Sequence, residues 1–178
     1  MKKFKILSKE KLIESQYCSV EKHIVEFPDG GKGEWFVNTS ADAAIVVPIT
    51  TEGKVILQRS YKHGSGKEII EFCAGIIDPG ETPEVAAERE LQEETGFAAE
   101  SLEEIGEVFA NPTGSSMKYH FFLARNCALN GEQDLDPSEQ IEVFFAEDWA
   151  SAVELLTDSN TITSSATIAG IGFAAKYL

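Results

Sequence analysis

Basic residues are scarce in this chain: 15 Lys and Arg stand against 30 Asp and Glu, for a formal net charge of -15. Nucleic acid and anionic bilayers are held by clustered cations, so neither is expected as a partner. Cysteine is also sparse. Cys18, Cys73 and Cys127 are odd in number and show no CxxC or zinc-type spacing, which argues against a disulfide framework and for free thiols in a reducing cytoplasm. No hydrophobic run is long, and Ala43–Ile49 is far too short to span a bilayer. Met1-Lys2-Lys3 is basic, but Lys5, Lys9 and Glu10 break the apolar stretch that follows, so a signal peptide is not expected. His23, His63 and His120 are scattered, with no partner near in sequence, and read as structural.

What remains is a chain of 178 residues, enough for one domain with a sizeable core. It has no internal repeat, low-complexity tract or linker. Residues 17–27 and 34–39 alternate as strands across a turn at Pro28-Asp29-Gly30-Gly31. Ala43–Ile49 and Val55–Leu57 read as a buried strand pair across Glu52-Gly53. Glu68–Phe72, Leu102–Phe109, Tyr119–Ala124 and Ile141–Ala146 are further strands, and Ala150–Thr157 and Ser164–Tyr177 are helical.

Between these lies Gly75–Phe97, GIIDPGETPEVAAERELQEETGF. Thr82 suits an N-cap and Pro83 the first helical position, where its missing N–H is harmless. Glu84 suits the positive end of the helix, and Gly96 the left-handed residue beyond its C-terminus. Glu90 and Glu94 are four apart and Glu93 is three from Glu90, so three carboxylates crowd one face, beside an apolar stripe of Ala87 and Leu91. Arg89, four before Glu93, offsets only part of that repulsion. A divalent cation would neutralise the rest, and hard oxygen ligands suit Mg2+ or Mn2+.

The spacing resembles the Nudix box: Gly75, Glu81, then Arg89-Glu90-Leu91, Glu93-Glu94 and Gly96-Phe97. Further markers are similar to the ADP-ribose pyrophosphatase branch: Ile56 to Gly64, Glu71 to Glu81, Pro112 fifteen residues past Phe97, and Tyr119 to Ala124. The resemblance covers about residues 40–170. It implies an α/β fold, the Nudix α/β/α sandwich with a mixed sheet, plus an N-terminal β-hairpin region. The implied division is 1–40, for dimerisation, and 41–178, the hydrolase domain. The implied reaction is metal-dependent cleavage of the pyrophosphate of ADP-ribose or another nucleoside diphosphate sugar.

Carried over residue by residue, the resemblance implies that Glu90, Glu94 and the carbonyl of Ala74 hold metal. Glu93 is a further ligand or a base. Arg89 would orient the carboxylates through its bidentate fork, with support from Glu81. The base of this branch commonly lies on a later loop, where Glu139 is the first candidate, with Glu142 and Glu93 behind it. Lys62, Arg59 and Glu71 are candidates for substrate binding. Two departures from the branch are Cys73, where proline is usual, and the loop Asn111–Met117, which lacks an acidic residue often found there. The second leaves other nucleotide sugars open.

Two alternatives keep or drop the chemistry. One is a Nudix hydrolase of a dinucleoside polyphosphate, coenzyme A or a damaged nucleoside triphosphate. The other is a non-catalytic nucleotide-sensing domain, which an intact box argues against. The aromatic strand segments before residue 40, with Phe27, Trp35 and Phe36, lead to the expectation of a homodimer built on an exposed hairpin.

Overall fold

The structure is a computed structural model describing residues 1–15 and 17–178. It divides into two compact units, Met1–Asp42 with Val108–Lys118, and Ala43–Glu107 with Tyr119–Leu178.

The first unit carries a three-stranded antiparallel sheet of β1 (Lys5–Glu14), β2 (Ser19–Glu26) and β3 (Lys32–Asn38), in that order. The β2–β3 turn closes where the sequence places it: Gly30 adopts φ +89°, and the Phe27 amide donates to the Gly31 carbonyl at 2.7 Å. Phe27 folds over Gly33, where a Cβ would meet its ring at 2.5 Å. Phe4 packs edge-on against Phe27 and Trp35, and the Trp35 indole donates to the Thr113 carbonyl at 2.8 Å. So the N-terminal region is three strands rather than a hairpin. β1 escapes detection because its apolar residues come in pairs, Ile6-Leu7 and Leu12-Ile13. With both faces exposed, and bulges at Ile6/Ser8 and Lys11/Ile13, nothing imposes a period of two.

The larger unit holds β4 (Ala43–Thr50), β5 (Val55–Lys62), β6 (Lys67–Glu71), β7 (Cys73–Ile76), α1 (Pro83–Thr95), β8 (Phe97–Ala98), all but the last two residues of β9 (Ser101–Phe109), all but the first residue of β10 (Lys118–Leu129), β11 (Ile141–Ala146), α2 (Trp149–Thr157) and α3 (Ser165–Ala174). The sheet runs β11-β5-β4-β10-β8, with β6 on β5, β7 on β4 and β9 on β10. It is mixed: β4 and β10 are parallel at its centre, while β5, β7 and β11 pair antiparallel.

Central parallel strands are covered on both faces and read as continuous apolar runs. β4 does so, with Ala44, Val46 and Val47 fully buried. Its alternation divides the core in two. Ala44 and Val46 join Ile56, Phe122 and Ala124 under Ala86, Ala87 and Leu91 of α1. On the other face Phe121, opposite Ile45 in register, packs on Phe173 of α3 with ring centroids 5.0 Å apart. Gly170 lets α3 approach Phe72 and Phe121, which a Cβ would meet at 3.2 and 3.6 Å. Helix, sheet and helix therefore stack as the α/β/α sandwich expected.

Several boundaries differ from expectation, among them β10, which runs on to Leu129. β5 runs on to Lys62 because its inward positions turn polar, which hides the alternation. Cys73–Ile76 is a separate strand, too short to show a period. The last helix begins at Ser165 and ends at Ala174 rather than spanning to Tyr177.

Candidate active site

Helix α1 is fixed by local chemistry. Thr82 Oγ1 accepts from the Val85 amide at 3.3 Å, Pro83 opens the helix, and Gly96 closes it at φ +77° with its amide bonded to the Gln92 carbonyl. Ala86, Ala87 and Leu91 seat it on the sheet. The Arg89, Glu90, Glu93 and Glu94 side chains then fall next to β7 and the loop before the helix.

Arg89 organises this cluster with all five of its N–H donors. Nε and Nη2 grip the two oxygens of Glu81 at 2.9 and 3.0 Å. Nη2 also donates to the Ile76 carbonyl at 2.9 Å, and Nη1 reaches Glu90 at 2.6 Å and Glu93 at 3.0 Å. Glu81 leads in holding the guanidinium still more firmly charged than usual. In return Arg89, with the Asp78 amide, lowers the Glu81 pKa. Glu90 lies directly against Gly75, where a Cβ would sit 1.9 Å from its carboxyl carbon. That glycine is required by close approach, not by a turn.

Glu94 is buried, 3% exposed. Its Oε2 accepts from the Ala74 amide at 2.9 Å and from Gln58 Nε2 at 3.0 Å. Burial pushes its pKa up to about 7, against the pull of Gln58, the Cys73 thiol and the Ala74 amide. Burial also raises Glu90, with Arg89 opposing and Glu93 adding to the rise. Cys73 is buried and its thiol pKa is raised, first by burial and then by Glu94, which suits it to donate rather than react.

On the same face of β5 as Gln58 stand Ser60 and Lys62. Ser60 Oγ donates to Glu71 Oε1 at 2.7 Å, and Lys62 Nζ pairs with the same oxygen at 2.7 Å. Burial works against the Lys62 ammonium, but Glu71, with Glu94 and Glu139 farther off, outweighs it and raises its pKa. Lys62 and Glu139 line one cleft of about 270 Å3 with Ser60, His63 and Ser138. The loop bearing Glu139 is tied to the end of α1: Gln133 Nε2 donates to the Glu94 carbonyl at 2.6 Å and the Asp134 amide to the Glu93 carbonyl at 2.9 Å. Glu139 Oε2 caps its own turn, accepting from the Asp136 amide at 2.9 Å.

The structure therefore brings together Glu81, Arg89, Glu90, Glu93, Glu94 and Ala74, with Lys62, Glu71 and Glu139 adjacent. It does not bring in Arg59 or Glu142. These are cross-strand partners on the opposite face of β5, joined at 2.9 Å, with Arg59 also lying over the Phe144 ring.

The donor set fits a hard divalent cation. The ligands expected there, Glu90, Glu93, Glu94 and the Ala74 carbonyl, are all oxygens. One guanidinium faces three carboxylates, Glu94 is charged only at a cost, and the buried Gln58 Oε1 has no hydrogen-bond partner among the described residues. Among those residues no three His, Cys, Asp or Glu side chains already converge as a cage. Arg89 instead draws Glu90 and Glu93 to itself.

The family model for the NUDIX domain matches residues 39–167. The chain belongs to the Nudix family. The ADP-ribose pyrophosphatase of Bacillus subtilis (strain 168) is 31% identical over 140 residues, covering 78% of this chain and 76% of that one. The ADP compounds hydrolase NudE of Escherichia coli (strain K12) is 33% identical over 141 residues, covering 76% and 75%. A crystal structure of an ADP compounds hydrolase matches with a TM-score of 0.85 and 27% identity, covering 100% of this chain and 95% of that one.

Within this Nudix site, sequence reading missed Gln58 and Ser60. The available signal was their spacing. Gln58, Ser60 and Lys62 follow Ile56 at every second position, so a face that begins in the core turns polar along its length.

The raised Glu94 pKa has a measurable consequence. A group that binds its proton more tightly when folded stabilises the fold fully below its unfolded pKa, here 4.5, and loses that stability as pH rises through about 7. Metal-free protein should therefore lose on the order of 3 kcal/mol from this group between those limits. Glu94→Gln has nothing to titrate there. In chelator, its melting temperature should fall less than wild type's between mildly acidic and mildly alkaline pH. Parallel melting profiles for the two proteins would refute the buried-charge account.

Proposed function

We propose that this protein hydrolyses the pyrophosphate bond of ADP-ribose or another nucleoside diphosphate sugar, using Mg2+ or Mn2+, to give a nucleoside monophosphate and a sugar phosphate. One observation carries the reading: the Arg89-organised carboxylates of α1 adjoin the Ser60–Lys62–Glu71 group and the cleft that reaches Glu139. Cleaving a diphosphate requires concentrated positive charge on an acidic protein, and an oxygen-lined cation site supplies it. The two relatives and the solved structure described above are all named for ADP compounds, which supports the same class here.

In this reading Glu90, Glu94, Glu93 and the Ala74 carbonyl hold the cation, and Arg89 keeps Glu90 and Glu93 aligned with Glu81. A bound divalent cation polarises phosphoryl oxygens and lowers the pKa of an attacking water. Glu139 takes the proton from that water. Lys62, kept charged by Glu71, offers an ammonium to the substrate phosphates. Arg59 shapes the far side of β5 rather than the phosphate site. The test is a panel of nucleotide sugars with Mg2+ and mass-spectrometric identification of products. Release of a nucleoside monophosphate and a sugar phosphate is expected. Cleavage only of dinucleoside polyphosphates, coenzyme A or nucleoside triphosphates would overturn the substrate class.

Residues 1–40 are proposed to form a homodimer contact. Ile6, Leu7, Leu12 and Ile13 of β1, with Phe36 of β3, are all exposed. An uncovered edge strand with apolar residues on both faces invites pairing with another chain. Light scattering should give about twice the 19.5 kDa chain mass. Ile6→Lys with Ile13→Lys should return a monomer, since lysine on an edge opposes pairing. A wild-type monomer at micromolar concentration would sink the idea. The free thiols Cys18, Cys73 and Cys127 suit a cytoplasmic setting, and no helix among the described residues is long and apolar enough to cross a membrane.

A further inference from the structure

Gln58 is 1% exposed on β5, directly after the fully buried Val55, Ile56 and Leu57. An apolar side chain here would avoid burying an amide, but Glu94 Oε2 would lose a donor. A buried amide is unfavourable unless both of its ends are bonded. Here one end is bonded and one is not: Nε2 donates to Glu94 Oε2 at 3.0 Å, and Oε1 meets no partner among the described residues. The Ala74 amide reaches the same Glu94 oxygen at 2.9 Å. Donors from two strands, β5 and β7, thus clamp one oxygen of a buried carboxylate and fix the direction of the other.

We propose that Gln58 is a positioning residue of the cation site: it orients Glu94 toward the divalent cation, and its Oε1 accepts a hydrogen bond from a water held there. The proposal rests on the hydrolase reading above and deepens it. An amide suits the role for a physical reason. It steadies the Glu94 carboxylate by donating a hydrogen bond, yet adds no positive charge to compete with the incoming cation, as lysine or arginine would. It also supplies the acceptor that a water bound to a cation requires, because such a water is a strong donor. Outer partners of this kind are worth about 10–100-fold in metal affinity.

Gln58→Met keeps length and approximate volume and removes both polar ends. Titration with Mn2+ alone at neutral pH, followed by electron paramagnetic resonance, should show binding weakened by about 10–100-fold. The metal-free variant should stay folded, since Glu94 Oε2 keeps the Ala74 amide and an unpaired buried acceptor has gone. At saturating Mn2+, kcat should fall while KM for the nucleotide sugar stays near wild type. Gln58→Asn, whose amide is one methylene too short to reach Glu94, should weaken Mn2+ similarly and provides a second variant if the first does not fold. A residue that merely fills space would leave Mn2+ affinity unmoved. Wild-type affinity in both variants, with binding lost in Glu94→Gln, overturns the role of Gln58. Unchanged binding in Glu94→Gln as well overturns the cation site itself, and this proposal with it.

Discussion

Glu90→Gln and Glu94→Gln should each lower turnover by about 10³-fold or more, which is about 4 kcal/mol of transition-state stabilisation. Each substitution keeps the side chain's shape and removes the charge that a hard cation needs. Neither should cost much folding stability. Gln at position 94 can still accept from the Ala74 amide and Gln58, and it relieves a carboxylate whose burial pushes its pKa to about 7. Gln at position 90 still fits against Gly75 and can still accept from Arg89. Wild-type protein in excess chelator should fall to the same residual rate, and Mg2+ or Mn2+ should restore it. The variants should not recover at the metal concentration that restores wild type. Full activity in chelator, or wild-type rates in both variants, would remove the carboxylates of α1 from the chemistry. Because Glu94 must be charged to hold metal, activity at subsaturating metal should also decline as pH falls below about 7.

The helix that carries this site could be placed to the residue from sequence because its ends are set locally. Thr82 caps it, Pro83 starts it, and Gly96 ends it in a conformation that suits glycine. The shared face of Glu90, Glu93 and Glu94 follows from helical spacing alone. The requirement for Gly75 did not. Its reason is the Glu90 carboxylate brought against it by tertiary packing, which no local signal encodes. Gln58 and Ser60 went unread because polar residues in a strand suggest a solvent face, whereas here they point into the interior toward other polar groups. Arg59 stands apart from the cluster. It sits three residues before Lys62, but a strand's period of two sends it to the other face, where Glu142 pairs with it. β1 left no pattern because neither of its faces is buried. Local chemistry was legible, and what depended on which groups meet across the sheet was not.

The base is the sharper test of the site's geometry, because three carboxylates compete for the role and the structure separates them. Glu142 lies across β5 from the cluster, held by Arg59, so Glu142→Gln should leave the rate within a few-fold of wild type. Glu93 is tethered to Arg89 at 3.0 Å, and losing it should weaken metal binding along with turnover. Glu139 shares the cleft with Lys62, is carried by a loop anchored to the last turn of α1, and acts on Glu90 as a neighbouring like charge. Glu139→Gln should therefore lower kcat by about 10²–10⁴-fold, the usual worth of positioned proton transfer. Mn2+ affinity should stay near wild type. The local turn is not at risk, because Gln at position 139 can still accept from the Asp136 amide. A rate within a few-fold of wild type would take the role from Glu139 and give it to Glu93, the carboxylate that remains on the cluster's exposed side.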